Sequence, residues 1–303
     1  MDQSIQRALK KAKIKQWLKI IIISFFVSIV LLIGMNRLGN YLSSIHHKNL
    51  HESLFLEHSI TQPNINIDSQ VTANSSMFGG NIVTNRSKNI NGYLVPWSTL
   101  TSSYSWFGAS IDYNELLPGY FSRGTTEYEY DKQTKQKVPT FYHPKIISYY
   151  DGVQNQLPEL IKMDNHVAEV AISFKKPMTM EEVKKSIPDA LNIVWLYMVS
   201  NIGDESKGPL GQPVYGYADN ELSVEGFHTF IENLKLYDES QTNEMIQAYI
   251  KKNEQKPFSE VTVLGVMLTG RTESFKALLE SEYIRGASIG VTVPIVPYIK
   301  PTK

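Results

Sequence analysis

An uncharged run near the start constrains this chain more than any other feature. Between Ile20 and Met35 every residue except Ser24, Ser28 and Gly34 is apolar, and none carries a formal charge. With Trp17 and Leu18 ahead of it and Leu38, Tyr41 and Leu42 behind, the run reaches the roughly 20 residues that cross the hydrocarbon of a bilayer. It is apolar on all faces, whereas a helix on the surface of a soluble domain confines its apolar residues to one stripe. A membrane helix over residues 17–42 is therefore expected, with Ile20, Ile23, Phe25, Phe26, Val30, Leu32 and Met35 facing lipid and the bilayer as first partner. A cleaved secretory signal begins in the same way, but no small-x-small cleavage site follows the run.

The net charge of zero conceals an asymmetry. Arg7, Lys10, Lys11, Lys13, Lys15 and Lys19 precede the run against Asp2 alone, and only Arg37 follows it closely. The positive-inside rule then places residues 1–16 in the cytoplasm and everything after the span outside, as a single-pass protein of the cell membrane. Lysines beside a span meet anionic headgroups, so direct nucleic-acid binding is not expected. Ile5, Leu9 and Ile14 recur near helical spacing among these cations and are candidate contacts for a cytoplasmic partner. A helix this short is marginal in water and would form on docking to such a partner, a second membrane protein for example. A lipid-facing juxtamembrane segment is the alternative.

Beyond the span, Leu50, Leu54 and Leu56 keep a helical rhythm, which predicts a stalk over residues 43–60. It carries His46, His47, His51 and His58. His47 and His51 stand one turn apart, as metal ligands can, although a solvated polar face is the simpler reading. Pro63 opens a different region, residues 61–160, where Asn64-Ile65-Asn66-Ile67 and Gly92-Tyr93-Leu94-Val95 alternate between turn residues, and a β-rich layer is expected. From residue 161 to 303 strand and helix patterns alternate. VAEVAISF at 167–174 and NIVWLYMVS at 192–200 read as strands, Thr179–Ile187 as a capped helix, Gly203–Tyr217 as a loop and Thr272–Glu280 as a helix. The fold class is thus mixed, α+β or α/β, with a compact C-terminal α/β domain.

No chemistry stands out. The chain lacks cysteine, which removes disulfides, thiolate metal sites and a cysteine nucleophile. No G-x-S-x-G elbow and no phosphate-cradling glycine loop occurs. Glu181 with Glu182, and Glu127 with Glu129, are carboxylate pairs of the kind that surfaces carry in water. No catalytic residue, cofactor or metal is expected, and the chain does not read as an enzyme.

Two long stretches do resemble a known family. Lys10 to Trp97, with SSMFGGNIVTNRSKNINGYLVPW at 75–97, is similar to the N-terminal module of the sigma factor regulators, membrane-bound anti-sigma factors of Gram-positive bacteria. Val167 to Tyr298, with NIVWLYMVS, VLGVMLTG at 263–270 and IRGASIGVTVPIVPY at 284–298, resembles the C-terminal module. The resemblance implies a membrane-anchored regulator that restrains an extracytoplasmic-function sigma factor and releases it under envelope stress. In this chain the short basic tail would have to make that contact. The alternative is an extracytoplasmic sensor, binding or scaffold protein, in which Trp97, Tyr104, Trp106 and Tyr113 offer an aromatic contact surface.

Overall fold

The computed structural model describes residues 3–111, 118–123, 126–149, 152–200, 202, 205–208 and 214–303. A single helix, α1, runs unbroken through Gln3–Thr61. No proline interrupts it before Pro63, which lacks the N–H needed to continue and disfavours helical backbone in the residue before it. The strands β1 (Asn66–Ser76), β2 (Gly79–Ile90), β3 (Tyr93–Ser105) and β4 (Gly108–Ile111) follow, and form one sheet in sequence order. Asn91 and Gly92, which join β2 to β3, both have positive φ, 53° and 98°. That is the backbone an Asn-Gly hairpin turn requires.

Two compact units emerge from the packing. One comprises Met1–Leu50, Thr72–Ile82 and Ser102–Ser110, and the other His51–Val71, Val83–Thr101 and Ile111–Lys303. The second unit holds a small meander of β5 (Gly119–Arg123), β6 (Thr126–Tyr130) and β7 (Lys137–Val138). It continues with β8 (Ser148–Tyr149), α2 (Leu157–Leu160), β9 (His166–Thr179), α3 (Met180–Ser186), β10 (Asn192–Ser200), β11 (Lys207–Gly208) and β12 (Val214–Tyr217). The helices α4 (Val224–Gln241) and α5 (Glu244–Asn253), then β13 (Thr262–Arg271) and β14 (Ile284–Pro294), complete it.

The main sheet of this unit has the order β12-β10-β13-β9-β14, and every adjacent pair is antiparallel. Of the two fold classes open from the sequence, this ladder selects α+β, since a βαβ crossover would have made parallel neighbours. One local expectation is corrected. The segment read as a loop up to Tyr217 contains β12, a four-residue edge strand too short to announce itself among glycines and prolines. The segment 272–280, read as a helix, is a 3-10 helix over Thr272–Leu278.

Strand β9 explains how the unit is layered. Ala168, Val170, Ile172 and Phe174 point to one face and join α4's Phe227, Phe230, Ile231 and Leu234 in the large core. The alternate residues Val167, Glu169, Ala171 and Ser173 point the other way and are buried too, because further layers cover that face. A sheet buried on both faces accounts for the nearly continuous apolar run of β10. After β9, Thr179 starts α3 with a reciprocal capping box: its hydroxyl accepts from the Glu182 N–H, and the Glu182 carboxylate accepts from the Thr179 N–H at 2.6 Å. Thr179→Ala is expected to lower the unfolding free energy by about 1 kcal/mol, measurable as a small fall in melting temperature of the detergent-solubilised chain.

Candidate functional site

The amino-terminal helix carries the first set of candidate residues. Ile20, Ile23, Phe25, Phe26, Val30, Leu32 and Met35 lie within α1 and are 47–68% exposed. The apolar stretch has the length and composition to cross a membrane, and none of it is buried in the structure. Ile5, Leu9 and Ile14 also lie on α1 with exposed side chains. Helix geometry brings the first two together and separates the third: at about 100° per residue, Ile5 and Leu9 are roughly 40° apart while Ile14 is roughly half a turn from Ile5. A partner docking on this segment would meet Ile5 and Leu9, with Lys13 one turn beyond Leu9 beside them and Arg7 on the opposite face. Of the stalk histidines, His47 Nε2 lies 3.0 Å from the Thr72 hydroxyl, with its ring edge-on to Tyr104 at 5.0 Å. The His51 ring meets Phe55.

The second unit contains a site that sequence reasoning missed. Glu169, fully buried on β9, accepts from Lys88 Nζ at 2.7 Å on one oxygen and from Asn64 Nδ2 at 2.7 Å on the other. Lys88 itself is buried and lies 4.3 Å above the Trp97 ring. Desolvation makes each charge costly alone, and the ion pair, the amide and the aromatic face offset that cost together. Asn64 holds a left-handed backbone, φ 52°, and also donates to the Asn89 carbonyl at 3.2 Å. Local pattern could not reveal this cluster, because Lys88 and Glu169 are 81 residues apart.

Lys88 and Trp97 border a cleft of about 410 Å³ with Arg86, Asp131, Tyr197 and Met267. Arg86 is fixed by Ser98, Nε to its carbonyl at 2.7 Å and Nη2 to its hydroxyl at 3.0 Å. Burial raises the Asp131 pKa, but hydrogen bonds from Thr134, Ser98 and Gln133 outweigh it and leave the carboxyl below its ordinary value. Nearby, burial pushes Lys137 down to about 8 while Glu169 pulls it back up. Its ammonium donates to Gln156 and Ser288, both at 3.1 Å, and to the Ile289 carbonyl. The cleft thus presents fixed cations, an aromatic wall and one carboxylate, a constellation suited to binding an anionic or zwitterionic group.

A second groove, about 650 Å³, is bordered by His58, Trp195, Tyr217 and Asp219. His58 Nε2, Trp195 Nε1 and the Tyr217 hydroxyl are buried without a hydrogen-bond partner among the described residues. Burial, and then the charge of Arg86, lower the His58 pKa to about 4. The aromatic residues singled out in the sequence have these surroundings. Trp97 is committed to Lys88, Tyr104 is buried against His47, Trp106 lies in the turn between β3 and β4, and Tyr113 falls outside the described residues. Among the described residues no group of three or more His, Asp or Glu is placed to hold a metal.

Comparison with known proteins adds the remaining facts. No curated protein and no solved structure matches the chain. Two family models do match, sigma factor regulator N-terminal over residues 6–95 and sigma factor regulator C-terminal over residues 160–291. The first takes in the basic segment, the apolar run and strands β1 to β2, and the second begins inside α2 and reaches into β14, so that it frames Glu169 and the five-stranded sheet. With both modules present in their named order, the chain belongs to the sigma factor regulator family.

Proposed function

We propose that the protein is an anti-sigma factor: anchored by α1 with its N-terminus in the cytoplasm, it restrains an extracytoplasmic-function sigma factor until the envelope is stressed. Family membership carries the reading, since a role in sigma factor regulation comes with both modules. The cation-rich entry to the apolar run supports the orientation. Ile5 and Leu9 are the contacts we assign to the sigma factor, as one narrow apolar stripe with Lys13 beside it. The unit that holds the clefts is the receiving end. A ligand there shifts the equilibrium only as far as it binds two arrangements of the protein with different affinity.

Affinity recovery of the full-length protein from solubilised membranes tests this directly. The wild type is expected to bring down a sigma factor, and Ile5→Glu combined with Leu9→Glu to lose it by at least about tenfold, the loss that a buried charge at an apolar contact produces. Absence of any sigma factor from the wild-type sample would overturn the reading. Deleting the gene should raise transcripts of the sigma factor's own targets, and a fall would overturn negative control in particular.

A second reading is favoured by the cleft beside Lys88 and Trp97. The outer part would bind an anionic envelope component without a transcriptional role, and deletion would then leave transcript levels unchanged while altering the cell surface.

A further inference from the structure

The first unit places aromatic residues where a membrane helix leaves the bilayer. On α1, Asn36, Gly39, Ser43 and His47 recur three or four apart and so form one face, which starts at the residue after Met35. Strand β1 runs back along this face. Thr72 meets His47, and five residues later Met77 accepts from Ser43 Oγ at 3.1 Å through its carbonyl and from Asn36 Nδ2 at 3.4 Å through its sulfur. The hairpin between β1 and β2 therefore turns at the end of the helix face nearest the apolar run. The turn between β3 and β4 joins it there, since Trp106 Nε1 donates to the same Met77 carbonyl and its ring stacks on Phe78 at 5.4 Å. Gly39 makes the approach possible: a Cβ at that position would stand 2.5 Å from the Trp106 ring.

The tips are built for an apolar medium. Ser75 to Gly80 and Ser105 to Gly108 contain no charge. Trp106 spends its one donor inside the unit, while Phe78 is 59% exposed and Phe107 is 96% exposed. Along α1, Gly39 and Ser43 lie about 6 and 12 Å beyond Met35. A headgroup layer of roughly 5–8 Å on each side of the hydrocarbon overlaps that interval at the depth of Asn36 and Gly39. Aromatic side chains favour this layer, and exposed apolar patches mark an interaction surface.

We propose that the hairpin tips Met77–Phe78 and Trp106–Phe107 seat in the interfacial layer of the same bilayer that α1 crosses, as a second membrane contact. The proposal rests on reading α1 as a membrane span. Its occupant is lipid because the tips are held against the helix within one to two turns of its apolar run. The tips, then, fix the rotation and depth of α1, and a movement of β1 to β4 would be transmitted to the membrane end of the helix.

The chain has no cysteine, so single-cysteine variants carry one nitroxide label each. In full-length protein in phosphatidylcholine–phosphatidylglycerol vesicles, Val30→Cys reports the span and Ile45→Cys, about 15 Å beyond Met35, reports water. Phe78→Cys and Phe107→Cys report the tips. The ratio of oxygen to nickel-chelate collisions is expected to be several-fold higher at 78 and 107 than at 45, and lower than at 30. Tip labels that match position 45 while position 30 is lipid-like would overturn the proposal and leave the span intact. A water-like label at position 30 would overturn both. Spin–spin broadening at 107 that vanishes on dilution with unlabelled protein would give the tips to a second copy, and overturn the lipid assignment.

Discussion

Lys88→Met is expected to lower the unfolding free energy by about 3–5 kcal/mol, a fall in melting temperature on the order of 10 °C. The Lys88 and Glu169 side chains are 3% and 0% exposed, so the carboxylate left behind cannot recruit water. Asn64 Nδ2 would be its one remaining direct hydrogen bond of those seen at the cluster, and a single amide does not replace a full positive charge. The compensating double variant separates the energy of the pair from the cost of orphaning one member. Lys88→Met with Glu169→Gln keeps an acceptor for Asn64 and removes both charges, and it should recover most of the loss. The cycle should return a coupling above about 2 kcal/mol. Thermal unfolding of the detergent-solubilised chain by near-ultraviolet circular dichroism makes the measurement. Equal destabilisation in the single and double variants would mean that the ion pair is incidental to the cluster.

The same cluster marks the limit of what the sequence discloses. The helices announced themselves through spacing and caps, as at Thr179, because those signals are local. In the run VAEVAISF the two-residue period is equally plain, yet it carries no statement of how many layers will cover the strand. A strand with one wet face would leave Glu169 in solvent, as the carboxylates of Glu181 and Glu182 are. Only the chain contributed by Asn64, Lys88 and Trp97, far away in sequence, makes that position interior. The antiparallel order of the sheet was hidden for a related reason. Helices α3, α4 and α5 suggested crossovers, but strand direction depends on which edges pair, and no segment records that by itself. The tail is an instructive intermediate case. Ile5, Leu9 and Ile14 look evenly spaced, and an actual helix assigns Ile14 to a different face.

Acidification should expose a second vulnerability of the same unit. Burial, then Arg86, hold the His58 pKa near 4, and burial, then Lys145 and Arg285, hold that of His143 near 4. Both imidazoles are therefore neutral in the native state at pH values where an unfolded histidine, with its ordinary value near 6.5, takes up a proton. Since the folded value is the lower one, stability is complete above about pH 6.5 and is lost as pH falls toward 4, by at most about 3 kcal/mol for each histidine. Glu129, whose pKa burial raises, works in the opposite direction and offsets part of the loss at the acid end. The native contacts explain why neither ring accepts a proton cheaply. His143 Nδ1 accepts from the Lys145 N–H at 3.1 Å, while the His143 and Pro144 carbonyls hold the Arg285 guanidinium at 2.7 and 2.8 Å, so an imidazolium would forfeit an acceptor beside a fixed cation. His58 would become a second cation beside Arg86. His58→Leu, which removes an unpartnered nitrogen, and His143→Asn, which keeps an acceptor for Lys145, should together flatten the melting temperature between pH 6.5 and 4.5. Should the double variant lose as much stability on acidification as the wild type, carboxylates and not these two histidines would govern the acid response.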